Sequence, residues 1–271
     1  AEYGMVESLS YPFVGDEDFK AFSYDPAVIK PVSVEIANPL AGDRPYLRRD
    51  VLPTLATTVQ RNLRRGLEDI RLYEIGHVYL WDLNAPAIPA LPGGVRPSDE
   101  QLAALDAGLP DQPLHVAGLL TGNAVDSGWL GDRRAVDWSD AVEAVRRVCD
   151  RLGARYELRQ PAAQDVPAQW HPGRAAQIVA GEQVVGMVGE LHPRVNEALG
   201  LPAHSAAFEL NLTALFGTLD GKPVQAKPIA TFPPVKQDLA FTVDQSVTAA
   251  QLEAVVREAA GANLESIELF D

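Results

Sequence analysis

Arginines crowd one short stretch of this chain. Arg44, Arg48 and Arg49 precede an apolar run, and Arg61, Arg64 and Arg65 close it, around LRRDVLPTLATTVQRN at 47–62. Guanidinium groups held together can grip a phosphate or a carboxylate through paired N–H donors. A second constellation sets His171-Pro172 beside Glu190 and His192-Pro193. Two imidazoles and a carboxylate are part of a divalent-metal ligand set, although a metal needs three or four converging ligands with outer support. Proline after each histidine also serves as strand-end punctuation, so the expectation is a hydrogen-bonded cluster without metal. Cys149 is the single cysteine and has no histidine near it in sequence, which leaves thiol catalysis without support. A phosphate loop, a dinucleotide turn, a G-x-S-x-G elbow and a C-x-x-C pair are all missing.

The elements that must position these residues follow from periodicity. Leu52, Leu55, Ala56, Val59 and Leu63 recur at helical spacing, which predicts a helix over 51–65 with Asp50 as N-cap and Gly66 as stop. On that helix Arg61, Arg64 and Arg65 are solvated residues whose charge suits the C-terminal dipole. Arg44, Arg48 and Arg49 lie on the extended approach and are the better candidates for a partner or ligand. Strands are predicted over 5–14, 32–40, 69–83 (with a bulge at Gly76), 115–123, 155–160, 175–180, 184–191 and 206–212. The GEQ turn at 181–183 makes a hairpin of its neighbours. Ser98 and Gln101 form a capping box, and Asp137 caps a helix burying Val142, Val145, Val148, Cys149 and Leu152. Cys149 is thereby a core thiol. Trp81, Trp129, Trp138 and Trp170 are scattered, as core or rim residues rather than a base-stacking platform.

The first 225 residues therefore read as a largely antiparallel α+β domain. From 228 the pattern restarts as one β-α-β unit, with strands over 237–244 and 264–271 around a helix at 248–261. With 23 basic and 37 acidic side chains the formal charge is −14, so attraction of the whole chain to nucleic acid is excluded. No apolar stretch is long enough to cross a membrane, the N-terminus lacks the order of a signal peptide, and a lone cysteine fits the cytoplasm.

Six stretches in order carry a resemblance: 38–62, LYEIGHVYL (72–80), HPGR (171–174), VGELHP (188–193), FELNL (208–212) and FPPVKQDLAFTVD (232–244). Together they resemble the C-terminal half of bacterial phenylalanyl-tRNA synthetase β subunits. The resemblance implies a catalytic-like module of class II synthetase fold over 1–225, without that fold's activity. It implies the first half of a ferredoxin-like anticodon-binding domain over 228–271. In class II enzymes an arginine of the second motif holds the ATP α-phosphate; aligning GHVYLWD there places Leu80 at that position and Asp82 at the acidic one. Leucine cannot neutralise a phosphate. The glycine-rich third motif is not found.

The resemblance thus implies no catalytic, cofactor or metal residue in this chain, with ATP and magnesium bound outside it. The implied partners are the α subunit of a heterotetramer and tRNA(Phe), the latter through the complete C-terminal domain. Arg44, Arg48 and Arg49 become interface or structural cations, and Phe232 and Lys236 the tRNA-facing residues of the last domain. Two departures stand out: Gln237 replaces the arginine of F-P-x-x-x-R-D, and His77 replaces that of E-I-G-R-V. The family's editing domain and the helix before Y-G-x-V-E lie upstream, as in a fragment of a longer chain. The alternative function is an independent small-ligand or amino-acid-binding module that reuses the same sheet.

Overall fold

The computed structural model describes residues 3–129, 131–221, 226 and 231–270. The chain divides into two units, Ala1–Asp220 and Gly221–Asp271.

The first unit opens with short pieces. The sequence predicts one strand over 5–14, yet the chain forms β1 (Val6–Glu7) and β2 (Phe13–Val14) with irregular backbone between them. Ser8 N still donates to the Tyr73 carbonyl at 2.7 Å, the strand pattern stops beyond it, and Tyr11 stacks on Phe13. Helices α1 (Asp16–Ala21) and α2 (Pro26–Ile29) follow, then β3 (Tyr46–Leu47), which pairs with β2. The strand expected over 32–40 is also absent. One isolated bridge, Glu35 to Tyr46, is all that forms, because Asn38-Pro39 turns the chain before a ladder can extend.

Helix α3 (Leu52–Leu63) buries Leu52, Leu55, Ala56 and Val59, the face that the spacing marks. After it come β4 (Ile70–His77), α4 (Asp99–Ala107) with its Ser98–Gln101 capping box, and β5 (Leu114–Thr121). A small ribbon of β6 (Asn123–Val125) and β7 (Arg134–Ala135) leads to α5 (Trp138–Leu152), capped by Asp137 as expected. The remaining elements are β8 (Glu157–Arg159), β9 (Trp170–Ala180), β10 (Gln183–Leu191), α6 (Pro193–Leu199), β11 (Ala206–Asn211) and α7 (Leu212–Gly217).

Seven strands make one sheet in the order β1-β4-β5-β11-β10-β9-β8. Only the β1–β4 pair is parallel. Its two faces bury separate cores, because residues alternate across each strand. Val116, Leu120, Phe208 and Leu210 meet Ala144, Val145 and Cys149 of α5 on one face. There the Cys149 thiol is fully buried and pushed up to about 11 by loss of water, an inert core group. Leu72, Ala117, Leu119 and Ala207 meet α3 and α6 on the other face. The four tryptophans divide unevenly: Trp170 is core, while Trp129 is 95% exposed.

In the second unit α8 (Ala249–Ala260) is capped by Thr248, whose hydroxyl accepts from Gln251 N. Among the described residues the segments 237–244 and 264–270 form no paired strands, contrary to the sequence reading. Two strands that flank a helix in a split β-α-β arrangement need a third between them, and no described residue supplies it. The apolar positions of this unit stay wet, with Phe232 and Val235 above 80% exposed at 84% and 83%. Amide exchange in 231–270 should therefore outpace that of β4, β5, β10 and β11 by orders of magnitude. Mass-resolved hydrogen exchange checks this; equal protection in both units would contradict it.

Candidate functional site

The approach to α3 carries the site. Arg48 is 3% exposed and belongs to the interior. Its Nη1 donates to Glu74 Oε1 at 2.5 Å and to Thr54 Oγ1 at 2.8 Å, and its Nε donates to the His77 carbonyl at 3.1 Å. Glu74, on β4, is fully buried. The pair lies under the main chain of β4, and a Cβ on Gly76 would stand 2.1 Å from Arg48 Nη2. That is why Gly76 is glycine. The bulge expected there does not form, since β4 and β5 stay in register through Gly76 and His77. Burial puts Arg48 on the structural side of the interface-or-structural reading, its guanidinium engaged by Glu74, Thr54 and the His77 carbonyl.

The helix cap was equally misplaced by sequence. Val51, not Asp50, occupies the cap position of α3 and has no capping side chain of its own. Glu209 of β11 caps the helix from 158 residues away. Its Oε1 accepts from Val51 N at 2.9 Å and its Oε2 from Leu52 N at 3.1 Å. His115 Nδ1 on β5 lies 2.8 Å from Oε1, so the imidazole donates from Nδ1 to the carboxylate. A carboxylate on a helix N-terminus complements the dipole and satisfies otherwise unpaired amides.

Freed from capping, Asp50 faces a cleft. Tyr24 Oη donates to Asp50 Oδ2 at 2.7 Å, and Gln169 Nε2 donates to Tyr24 Oη at 3.3 Å. The cleft has a volume of about 510 Å³ and is walled by Arg49, Val28, Ile29, Leu80 and Pro167 besides these groups. Arg49 Nη1 donates to the Val32 carbonyl, and burial pulls its pKa down. Burial, and then the Glu209 charge, raise Asp50 to about 6, against the opposing pull of the Tyr24 hydroxyl, His115 and Arg49. Burial and the Asp50 charge push Tyr24 well above the usual phenol range.

Because the folded pKa of Asp50 exceeds the unfolded one, the native state binds the extra proton. The stability this confers is complete below the unfolded carboxylate value and is lost as pH rises through about 6. Asp50→Asn, which keeps an acceptor for Tyr24, should raise stability by about 1–3 kcal/mol at pH 8 and by much less at pH 4.5. Urea denaturation at the two pH values checks both the sign and the difference.

The histidine constellation resolves differently from its sequence reading. Trp170 pairs with Leu191 and Ala175 with Gly189, so HPGR (171–174) bulges opposite Glu190 rather than placing His171 across from 193. Gly189, at φ 149°, permits this: a Cβ there would lie 2.2 Å from the Arg174 carbonyl. Glu190 takes Arg174 Nε at 2.7 Å and His204 Nδ1 at 3.0 Å as its neighbours. His171 Nδ1 accepts from Gly173 N at 3.0 Å, and His192 Nδ1 accepts from Arg194 N at 3.1 Å, capping α6. Both imidazoles are thereby turned to local backbone. Desolvation, then Arg174, lowers the His171 pKa, and His192 is close enough to add to the effect. Among the described residues no three His, Cys, Asp or Glu side chains converge as a metal site.

The other residues singled out by sequence lie apart. Arg44 reaches Asp18 at 3.2 Å at the edge of α1, while Arg61, Arg64 and Arg65 are exposed. Phe232 and Lys236 are exposed in the second unit. Leu80 continues β4 as an isolated bridge, its N donating to Asp111 O at 2.8 Å, and Asp82 accepts from Asn84 N in a turn. Glu209, Tyr24 and Gln169 were missed. One signal existed for Glu209: a lone carboxylate inside AAFELN, a strand apolar on both faces, needs a buried donor.

Comparison with known proteins adds to this geometry. Residues 1–212 match the family described as the phenylalanyl tRNA synthetase beta chain CLM domain. The chain belongs to the phenylalanyl-tRNA synthetase β-chain family. Residues 230–271 match the ferredoxin-fold anticodon binding domain. The chain is 79% identical over 271 residues to the phenylalanine–tRNA ligase beta subunit of Bifidobacterium longum. It is 43% identical over 272 residues to the subunit of that name from Streptomyces avermitilis. It spans 31% and 32% of their lengths, about one third, while they cover 100% and 99% of it. Among solved structures, the pyrrolysyl tRNA synthetase PylSc of Desulfitobacterium hafniense superposes with a TM-score of 0.52 at 15% identity, over 79% of this chain and 63% of that one. At that identity the likeness concerns the fold, and it makes the seven-stranded sheet of this β-chain family member a synthetase-like one.

Proposed function

We propose that this chain is a non-catalytic part of the β subunit of a phenylalanine–tRNA ligase, acting in the cytoplasm. It supports the α subunit in ATP-dependent charging of tRNA(Phe), and its last residues contribute to an anticodon-binding domain. The observation that carries the reading is the charge of the sheet face under α3. Glu74, Asp50 and Glu209 line that side, and Arg48 is already spent on Glu74. Leu80 stands where the resemblance puts the α-phosphate arginine, at the wall of the same cleft. A triphosphate entering there would meet Leu80 and the Asp50 carboxylate, with Arg49 as the one cation in the wall and already bonded to the Val32 carbonyl, so most of its charge would go unstabilised. A sheet that keeps a synthetase fold while its polar groups are spent on internal bonds suits a supporting role.

Co-expression with a tagged α subunit from a related bacterium tests this. The chain should be retained with the tag and elute with it as one species in gel filtration. Recovery of the α subunit without it, in conditions where a full-length β subunit is retained, would overturn the proposal.

A further inference from the structure

The histidines beside the β9–β10 hairpin carry chemistry that neither the proposed function nor the core uses. His171-Pro172-Gly173 and His192-Pro193-Arg194 repeat one local device. In each, the imidazole Nδ1 accepts from the main-chain N–H two residues on, at 3.0 Å and 3.1 Å. A neutral ring that accepts at Nδ1 carries its proton on Nε2. Burial, then the Arg174 charge, lowers the His171 pKa and keeps that ring neutral. Both rings are partly exposed, and neither Nε2–H has an acceptor among the described residues. They belong to one neighbourhood: Trp170 pairs with Leu191, His192 N donates to Gln169 O at 2.9 Å, and the charges of Arg174, Glu190 and His192 all act on His171. Arg174 Nε stands 2.7 Å from Glu190 Oε2, and the terminal nitrogens of the guanidinium have no partner among the described residues. Glu190 itself is buried and is met on the same oxygen by His204 Nδ1 at 3.0 Å. What the cluster offers outward is therefore two neutral N–H donors and one guanidinium, without an acceptor. None of these residues lines the cleft beside α3.

We infer that His171, His192 and Arg174 bind a terminal phosphate group, that of inorganic phosphate or of a small phosphate monoester. Three separate donors answer the three unesterified oxygens of such a group, whereas a phosphodiester offers only two. The guanidinium supplies the charge, and the two rings supply directed N–H groups. Glu190 holds Arg174 by Nε, which leaves the paired terminal N–H groups for the ligand. A divalent metal is the wrong guest. A ligating imidazole presents a lone pair to the metal and gives its other N–H to an acceptor, but here main-chain donors have taken Nδ1 of both rings. The chain carries a formal charge of −14, so its field opposes an anion and the expected Kd is about 1–10 mM. No bond is made or broken; the site is for binding only. The inference does not depend on the proposed partnership with an α subunit, since every group named belongs to this chain.

Nuclear magnetic resonance of the imidazole nitrogens in the 271-residue chain tests it. His171 and His192 should both report the Nε2–H form. Their signals should shift saturably with inorganic phosphate or with methyl phosphate, at an ionic strength held constant with chloride. Whichever of the two binds more tightly identifies the source of the group. Dimethyl phosphate should bind at least about fivefold more weakly than either. His171→Asn and His192→Asn each keep an oxygen for the main-chain N–H two residues on, as asparagine does in turns, but lack the outward donor. Each should fold as the parent does and weaken phosphate binding at least about fivefold. The diester comparison on the parent chain decides should a variant not fold. An Nδ1–H ring at either position, no saturable shift up to about 100 mM phosphate, equal binding of dimethyl phosphate, or undiminished binding in either folded variant would each overturn the inference. None of these results depends on capture by the α subunit, so the two proposals fail separately.

Discussion

Arg48→Met is expected to cost about 3–5 kcal/mol of folding stability, the largest loss from any single arginine in this chain. The guanidinium is 3% exposed and sits 2.5 Å from a Glu74 that is itself fully buried. Removing it leaves a carboxylate without water and without a counter-charge, and Thr54 and the His77 carbonyl lose a donor as well. The penalty arises from that orphaned charge and not from the worth of the ion pair. Replacing both partners, Arg48→Met with Glu74→Leu, should therefore recover much of the loss. Arg61→Ala on the exposed face of α3 should change stability by no more than about 0.5 kcal/mol. Urea denaturation of the four proteins separates these cases. A loss below about 1 kcal/mol for Arg48→Met would mean that the side chain is not held inside.

Glu209→Ala should destabilise by about 2–4 kcal/mol, through three connected losses. The Val51 and Leu52 amides at the start of α3 lose their acceptor, as in removal of an N-cap. His115 loses the carboxylate to which it donates. A space also opens where the side chain ran between β11 and the helix. Part of the cost is offset because Asp50 no longer feels a neighbouring negative charge. The pH dependence assigned to Asp50 should accordingly shrink in this variant. A loss within about 0.5 kcal/mol would show that α3 has another cap.

The contrast between these two glutamates and the rest of the fold shows what the sequence can reveal. Alternation and spacing located most of the sheet strands, the apolar faces of α3 and α5, and the caps at Ser98 and Asp137, because each depends on neighbours within a few residues. What escaped depends on distance in sequence. Asp50 has the type and place of an N-cap, and only the fold reveals that Glu209 has taken the task. Gly76 looks like a bulge until Arg48 is seen to fill the space of its missing side chain. His171, Glu190 and His192 share one end of a hairpin, but a register shift gives Glu190 to Arg174 and His204. The strands expected at 237–244 and 264–270 have the right composition, and among the described residues none pairs with them. Local preference sets up an element; a long-range partner decides whether it forms.

At the centre of this account a synthetase-like sheet has spent its buried polar groups, Arg48 on Glu74 and Glu209 on the start of α3, and is proposed not to activate an amino acid. Pyrophosphate exchange with ATP, magnesium and phenylalanine tests that claim most directly. The account predicts exchange by this chain alone equal to a no-protein blank. Exchange above that blank, abolished by Arg49→Gln or Asp50→Asn, would contradict it.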